Sequence, residues 1–316
     1  MAVPPTDPLA PSGDPVLDRR LDWARALMAD GDAAAAADLL ADTVAEAPGL
    51  VAGWFLLGEA RLAAGETEGA VAAFRAAAER DPQDRLGAGL RLARMGAAPA
   101  AGAMSAAYVR TLFDQYADRF DGALRDGLAY RGPELLYDAV LRGAALRGRP
   151  ARFGYALDLG CGTGLAAPLF ASLVAQLDGI DLSPAMLAKA RALGLYARLE
   201  AQEMGAALAA VPPESCELII AADALCYVAD LGPLFAAARA ALAPGGLFAF
   251  TLETPGPGEP SEGVLLRETL RFAHPAALVA QALAEAGLDA VLLEAASTRT
   301  EKRRPVPGLV GVAARS

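Results

Sequence analysis

Histidine occurs once in this chain, at position 274, and cysteine three times, at 161, 216 and 226, with no CxxC pair among them. That scarcity argues against a multi-histidine metal centre, a zinc site and a disulfide framework, so no metal is expected. There is no run of about 18 strongly apolar residues of the kind that spans a bilayer. The start, Met1-Ala-Val-Pro-Pro-Thr-Asp, also lacks the basic and apolar stretches of a secretory leader. The expectation is a soluble cytoplasmic chain with no membrane partner. Clustered basic residues are scarce as well. The net charge is -10, with 9 Lys and Arg against 15 Asp and Glu over residues 1–100 and 19 against 23 over 101–316. Phosphate backbones need a basic surface, so nucleic acid is excluded as a partner.

What the chain does have is length and repetition. At 316 residues it exceeds the roughly 100–200 typical of one domain, so two domains are expected. Residues 1–15 hold five prolines and little to bury, and read as a disordered tail. From Leu17 a helical pattern repeats every 34 residues, with Gly31 and Gly65 at the turns and Pro48 and Pro82 closing each unit. The second unit carries Trp54, Leu57, Gly58, Ala70, Phe74, Ala77 and Pro82, and at these positions it resembles the tetratricopeptide (TPR) repeat. Arg61 departs from the usual tyrosine, and Arg20 stands where the first unit would have its tryptophan. Small Gly58 and Ala70 would let the helices of a hairpin approach, with Trp54 and Phe74 filling the gap between hairpins. A helix over Arg85–Met95 would cap the array. These repeats, residues 16–96, are read either as a plain helical stabiliser or as a concave surface for a peptide or protein partner.

A small-residue linker, 97–104, leads to a second domain over 105–316 whose centre is Tyr155-Ala-Leu-Asp-Leu-Gly-Cys-Gly-Thr-Gly-Leu165. An apolar run entering a glycine-dense turn before a helical pattern reads as strand, loop, helix, and glycine lets a ligand approach the backbone. Free amides at the start of the following helix would favour a carboxylate or phosphate. A dinucleotide fingerprint needs G-x-G-x-x-G, but here the third glycine comes one residue early. Asp-Leu-Gly-Cys-Gly-Thr-Gly instead resembles motif I of class I S-adenosylmethionine (SAM) methyltransferases.

Strands are predicted at Tyr155–Leu159, Gln176–Ile180, Tyr196–Leu199, Glu217–Ala221, Gly246–Leu252, Ala290–Glu294 and Val306–Val312. Helices are predicted near Gly164–Val174, Pro184–Leu193, Leu231–Ala241 and Pro275–Ala286. With no helix between them, the last two strands should pair antiparallel. This alternation resembles the α/β, Rossmann-like, seven-stranded and mostly parallel sheet of the class I methyltransferases, behind an N-terminal all-α TPR domain.

The resemblance implies SAM as cofactor and carries roles to particular residues. The turn Gly160, Cys161, Gly162 and Gly164 would cradle it, and Asp158 would help hold its amino group. Asp181, at the end of the second strand, would accept hydrogen bonds from both ribose hydroxyls, with Leu182 beside it and Met186 packed on the adenine. Glu203 takes the place of the family's adenine-contacting Asp or else simply starts a helix. Ser183 is better explained as an N-cap. The aromatic helix beginning at Tyr108, with Leu112, Phe113, Tyr116 and Phe120 on one face, is either ordinary core or a lid that brings Tyr108 and Tyr116 to the cofactor.

Methyl transfer needs a dry, positioned site more than covalent help. Candidate catalytic residues are Asp223, which leaves the fourth strand at the ligand-binding edge, His274 as a base, and the weaker Tyr227. Against that, His274 stands just before Pro275 and is also read as merely the start of a helix. No Asn-Pro-Pro-Tyr or Asp-Pro-Pro-Tyr follows the fourth strand, and no Pro-Cys occurs, which leaves a small molecule or protein side chain as acceptor. The basic run Arg299, Lys302, Arg303 and Arg304 is read as a solvated turn or, less favourably, a receiver of an anionic substrate. Two other readings stand beside the enzyme: a TPR scaffold with a SAM-sensing or inactive second domain, and a nicotinamide-dependent dehydrogenase, which the glycine spacing disfavours.

Overall fold

The computed structural model describes residues 12–122, 129–301 and 303–316. The chain divides into two compact units, Met1–Thr111 and Leu112–Ser316.

In the first unit, α1 (Pro15–Ala29), α2 (Ala33–Glu46), α3 (Val51–Ala63), α4 (Thr67–Arg80) and α5 (Ala88–Arg94) follow one another through short turns. Pro15 already lies in α1, whose first turn is capped by the Asp14 carboxylate, so the expected tail is shorter than 1–15. Residues 1–11 are outside the described residues. The turns at Gly31 and Gly65 take positive φ, as the repeat predicts. Gly58 is required by a close approach, since a Cβ there would lie 2.6 Å from the Phe74 ring. Phe74 is fully buried with Ala70, Ala77, Ala88 and Leu92, so it joins the α3–α4 hairpin to α5. Trp54 packs against both clusters of this unit and donates its indole N–H to the Pro48 carbonyl at 2.9 Å.

The boundary between units falls inside α6 (Ala106–Tyr116), seven residues beyond the expected one. In the second unit, α7 (Phe120–Gly122) and α8 (Gly132–Leu146) precede the sheet. Strand β1 (Phe153–Leu159) is followed by α9 (Ala167–Phe170), β2 (Val174–Asp181), α10 (Pro184–Ala192) and β3 (Arg198–Ala201). Then come α11 (Met204–Ala210), β4 (Cys216–Ala221), α12 (Gly232–Ala241) and β5 (Leu242–Glu253). Two-residue strands β6 (Leu265–Leu266) and β7 (Phe272–Ala273) lie in the segment before α13 (Ala276–Glu285). The chain finishes with β8 (Asp289–Ala296), β9 (Thr300–Glu301), β10 (Arg304–Pro305) and β11 (Gly308–Ala314).

The main sheet has the order β3-β2-β1-β4-β5-β11-β8, with β6 and β7 attached at the end of β5. Its first five strands run parallel, while β11 inserts antiparallel between β5 and β8. This is the mostly parallel, Rossmann-like sheet that the alternation implies. One buried cluster joins the sheet to α8 and α9, and another joins it to α11, α12 and α13. Both faces are therefore apolar, and the carboxyl ends of β1, β2, β4 and β5 are left to carry polar chemistry.

One expectation needs correction. The helix expected over 164–174 is only the single turn α9, because Val174 is drawn into pairing with Phe153 and starts the strand early. Helix α11 forms at the place where the sequence offered a helix start as one reading of Glu203, whose carboxylate caps it by accepting from the Ala206 amide at 2.9 Å.

Candidate cofactor and acceptor site

The glycine turn connects β1 to α9, and its three glycines are required for different reasons. All have positive φ, between 55° and 89°. A Cβ on Gly160 would lie 2.5 Å from the Ala224 methyl group, and one on Gly164 would be 2.7 Å from Leu193 and 3.1 Å from Tyr196. These two serve packing. A Cβ on Gly162 would come no closer than 3.8 Å to anything, and that nearest atom belongs to the Phe120 ring. Gly162 thus leaves its backbone approachable from the side of α7. Cys161 is buried, with its amide donated to the Ile180 carbonyl, and its thiol is pushed well above its ordinary pKa by burial.

Two carboxylates flank the turn. Asp181, at the end of β2, accepts from the Gly162 amide with one oxygen and from the Ser183 amide with the other, both at 2.8 Å. Each oxygen keeps lone-pair capacity for a further donor. Burial raises its pKa against the pull of those amides. Asp158 is 1% exposed; its Oδ2 accepts from the Tyr196 hydroxyl at 2.7 Å, and its Oδ1 has no partner among the described residues. Burial is the main reason that its pKa is pushed up to about 7.

Over the turn lies the aromatic helix. Phe113 and Tyr116 of α6 meet Phe120 edge to face, with ring centroids 5.9 and 6.0 Å apart, and Phe113 also meets Tyr227 at 5.4 Å. Asp114 fastens the helix to α10, accepting from the Ser183 hydroxyl at 2.5 Å and the Ala185 amide at 3.2 Å. Ser183 is meanwhile the α10 N-cap, accepting from the Met186 amide. Tyr108, on the same helix, belongs to the first unit, where its ring lies against Gly87.

Past β4 and β5 the edge is ionic. Asp223 has φ +58°, a left-handed conformation that Asp tolerates better than most residues. It lies 2.7 Å from the Arg271 guanidinium and 3.6 Å from that of Arg299. Glu253, 2% exposed, contacts Arg267, Arg271 and Arg299 at 2.6–2.8 Å, and despite its burial these arginines hold its pKa below the usual range. Arg271 also donates to the Tyr227 hydroxyl at 3.2 Å and lies over its ring. Burial raises the Tyr227 pKa.

Further site assignments change. Met186 is completely buried and offers no surface to an adenine, whereas Leu182 is half exposed. Glu203 is occupied as the α11 cap. His274 is 2% exposed, with Nε2 3.3 Å from the Ala229 carbonyl oxygen, and burial lowers its pKa. A sealed imidazole cannot reach an acceptor atom, so it is not placed as a base. Arg299 is 3% exposed and paired with Glu253 and Glu301, not part of a solvated turn, and Lys302 is outside the described residues. Tyr196, Asp114 and the Glu253–Arg271 pair were not singled out by the sequence.

The geometry is now sufficient to set beside known proteins. Residues 157–250 match the model of a family described as a methyltransferase domain, and residues 27–94 match that of the tetratricopeptide repeat. The chain carries a methyltransferase domain behind tetratricopeptide repeats. Methyltransferase-like protein 27 from Homo sapiens is 43% identical over 94 residues, which cover 29% of this chain and 37% of that protein. A ubiquinone biosynthesis O-methyltransferase from Albidiferax ferrireducens is 36% identical over 99 residues, covering 30% and 39%. The chain thus spans less than two fifths of these curated relatives. Among solved structures, a SAM-dependent methyltransferase from Mesorhizobium loti is 26% identical, with a TM-score of 0.41, over 57% of this chain and all of that one. A Burkholderia thailandensis N-methyltransferase with S-adenosylhomocysteine bound is 18% identical, with a TM-score of 0.45, over 63% and 87%.

Three features around the glycine turn would suit SAM as a ligand. Gly162 leaves backbone space, Asp181 has spare acceptor capacity, and Asp158 has an unpartnered buried oxygen. Among the described residues no group of three or more His, Cys, Asp or Glu is placed to hold a metal, and no helix is long and apolar enough to cross a membrane.

Proposed function

We propose that this protein transfers a methyl group from SAM to a small molecule or protein side chain, and that its TPR repeats recruit the acceptor or a protein that presents it. The observation that carries the reading is the backbone opening at Gly162, flanked by Asp158 and Asp181 and covered by the α6 aromatics. Bound SAM supplies a methyl carbon on a sulfonium, ready for in-line attack. Asp181 would take the ribose hydroxyls, Asp158 the amino group, and Leu182 would lie on the adenine side. Phe113, Tyr116 and Phe120 exclude water, which favours a reaction in which charge disappears.

Asp223 and Tyr227 face the acceptor and orient it. Asp223 is fixed by Arg271, so its part is to accept a hydrogen bond from the acceptor. With His274 sealed, the reading gives no residue the part of general base, and rate comes from positioning and desolvation. Calorimetric titration of SAM tests the cofactor site. Asp181→Ala should weaken binding by about 1–3 kcal/mol, because two ribose hydroxyls lose their acceptor. Unchanged affinity would remove Asp181 from the site. SAM binding with no methyl uptake by any captured partner would favour a scaffold or sensor.

A further inference from the structure

Tyr196 lies between α10 and β3, two strands away from the acid that it touches. Asp158 on β1 is in register with Gly179 on β2, and Gly179 with Leu199 on β3. A Cβ at Gly179 would lie 2.8 Å from the Tyr196 ring, and one at Gly164 would lie 3.1 Å from it. The two missing side chains open a lane across β2, along which the ring passes to put its hydroxyl 2.7 Å from Asp158 Oδ2. A half-buried phenol then has its partner, while Asp158 Oδ1 remains unpartnered.

From this lane and this half-satisfied carboxyl, we propose that Tyr196 is a positioning residue for cofactor binding: it holds one oxygen of Asp158 so that the other receives the SAM ammonium group. This rests on the cofactor reading above. The groups facing Asp158 are Tyr196, Asp181 on β2, Cys161 on the turn and Tyr130 ahead of α8. Burial keeps the Cys161 thiol and both phenols neutral around pH 7, which leaves Asp181 as the neighbouring charge. Burial raises Asp158, the Tyr196 hydrogen bond opposes that rise, and Asp181 adds to it, giving about 7. The ammonium needs the ionised carboxylate, so SAM binding near neutral pH releases the Asp158 proton to solvent. The cofactor's ammonium keeps its protons only below its own pKa, about 8 for an α-amino group, so the proton count is made below that value.

The test is calorimetry of SAM binding to the full chain between about pH 5.5 and 7.5, below the titration of the cofactor's own ammonium, in buffers of different ionisation enthalpy that count released protons. Wild type should lose about tenfold in affinity per pH unit below the Asp158 pKa. Tyr196→Phe removes the opposing hydrogen bond, so its midpoint should move to higher pH, with more protons released at about pH 7 than in wild type. Asp158→Asn should abolish both the pH dependence and the proton release. If Tyr196→Phe does not fold, Gly179→Ala crowds the ring out of its lane and should give the same alkaline shift. A Tyr196→Phe variant with an equal loss at every pH and unchanged proton release would make the ring a structural filler and overturn the proposal. Failure of wild type to bind SAM at any pH would instead overturn the cofactor reading.

Discussion

Asp158 is a residue at which folding and binding have opposite requirements. Its pKa of about 7 in the folded chain exceeds the ordinary carboxyl value of 3.8, so the folded state binds this proton more tightly than the unfolded one. Without ligand, that contribution to stability is present below the unfolded value and is lost as pH rises through about 7. Asp158→Asn should therefore raise the stability of the ligand-free protein at pH 8, by at most on the order of 4 kcal/mol, and change it little at pH 4. Urea denaturation at the two pH values measures this; equal effects at both would show that the carboxyl is not strained by burial. Gly162→Val addresses the same turn. The φ of +55° disfavours a branched side chain, and its bulk would occupy the approach to the backbone, so SAM binding should vanish in a folded variant. Asp158, Asp181 and the glycines were legible in the sequence because they stand at fixed offsets from one turn. Tyr196 was not, since its relation to Asp158 passes through the register of two strand pairings. His274 was legible as a histidine but not as a buried one.

At the scale of the element, the aromatic helix was readable as amphipathic, but nothing in the sequence singled out Asp114. Its bonds to Ser183 and the Ala185 amide tie the helix to the start of α10. Asp114→Ala should loosen α6, weaken SAM binding by about 1 kcal/mol and speed amide exchange in residues 112–116, whereas Asp114→Asn should restore most of the affinity by keeping an acceptor oxygen. Unaltered exchange in Asp114→Ala would show that the aromatic contacts alone hold the helix. The ionic edge was less legible still. The sequence pattern shows Arg267, Arg271 and Glu253 as charges in a long insertion, and only the closure of β6 and β7 onto β5 brings them together. Removing one partner leaves the others buried without compensation, so Glu253→Ala should cost about 3–5 kcal/mol in denaturant unfolding. A cost below about 1 kcal/mol would mean that water enters the cluster freely. Strand existence was readable from apolar runs, whereas the lengths of α9 and α11 were not, because pairing and capping rather than composition set them.

For the whole molecule, the recruiting role of the repeats has a direct test. A chain starting at residue 103 should bind SAM with unchanged affinity but methylate its native acceptor with a raised KM, since binding energy away from the reacting atom is lost. Undiminished transfer would reduce the repeats to a stabiliser. A different consequence follows from β11, whose seven residues are all buried between β5 and β8. During synthesis the repeats leave the ribosome well before residues 308–314, yet the sheet cannot close until those residues emerge. Until then the facing edges of β5 and β8 lack their shared partner, and the nascent chain carries two open apolar edges. The helical unit can thus fold while translation continues, but the cofactor domain must finish after it, and chaperones have a defined interval in which to act.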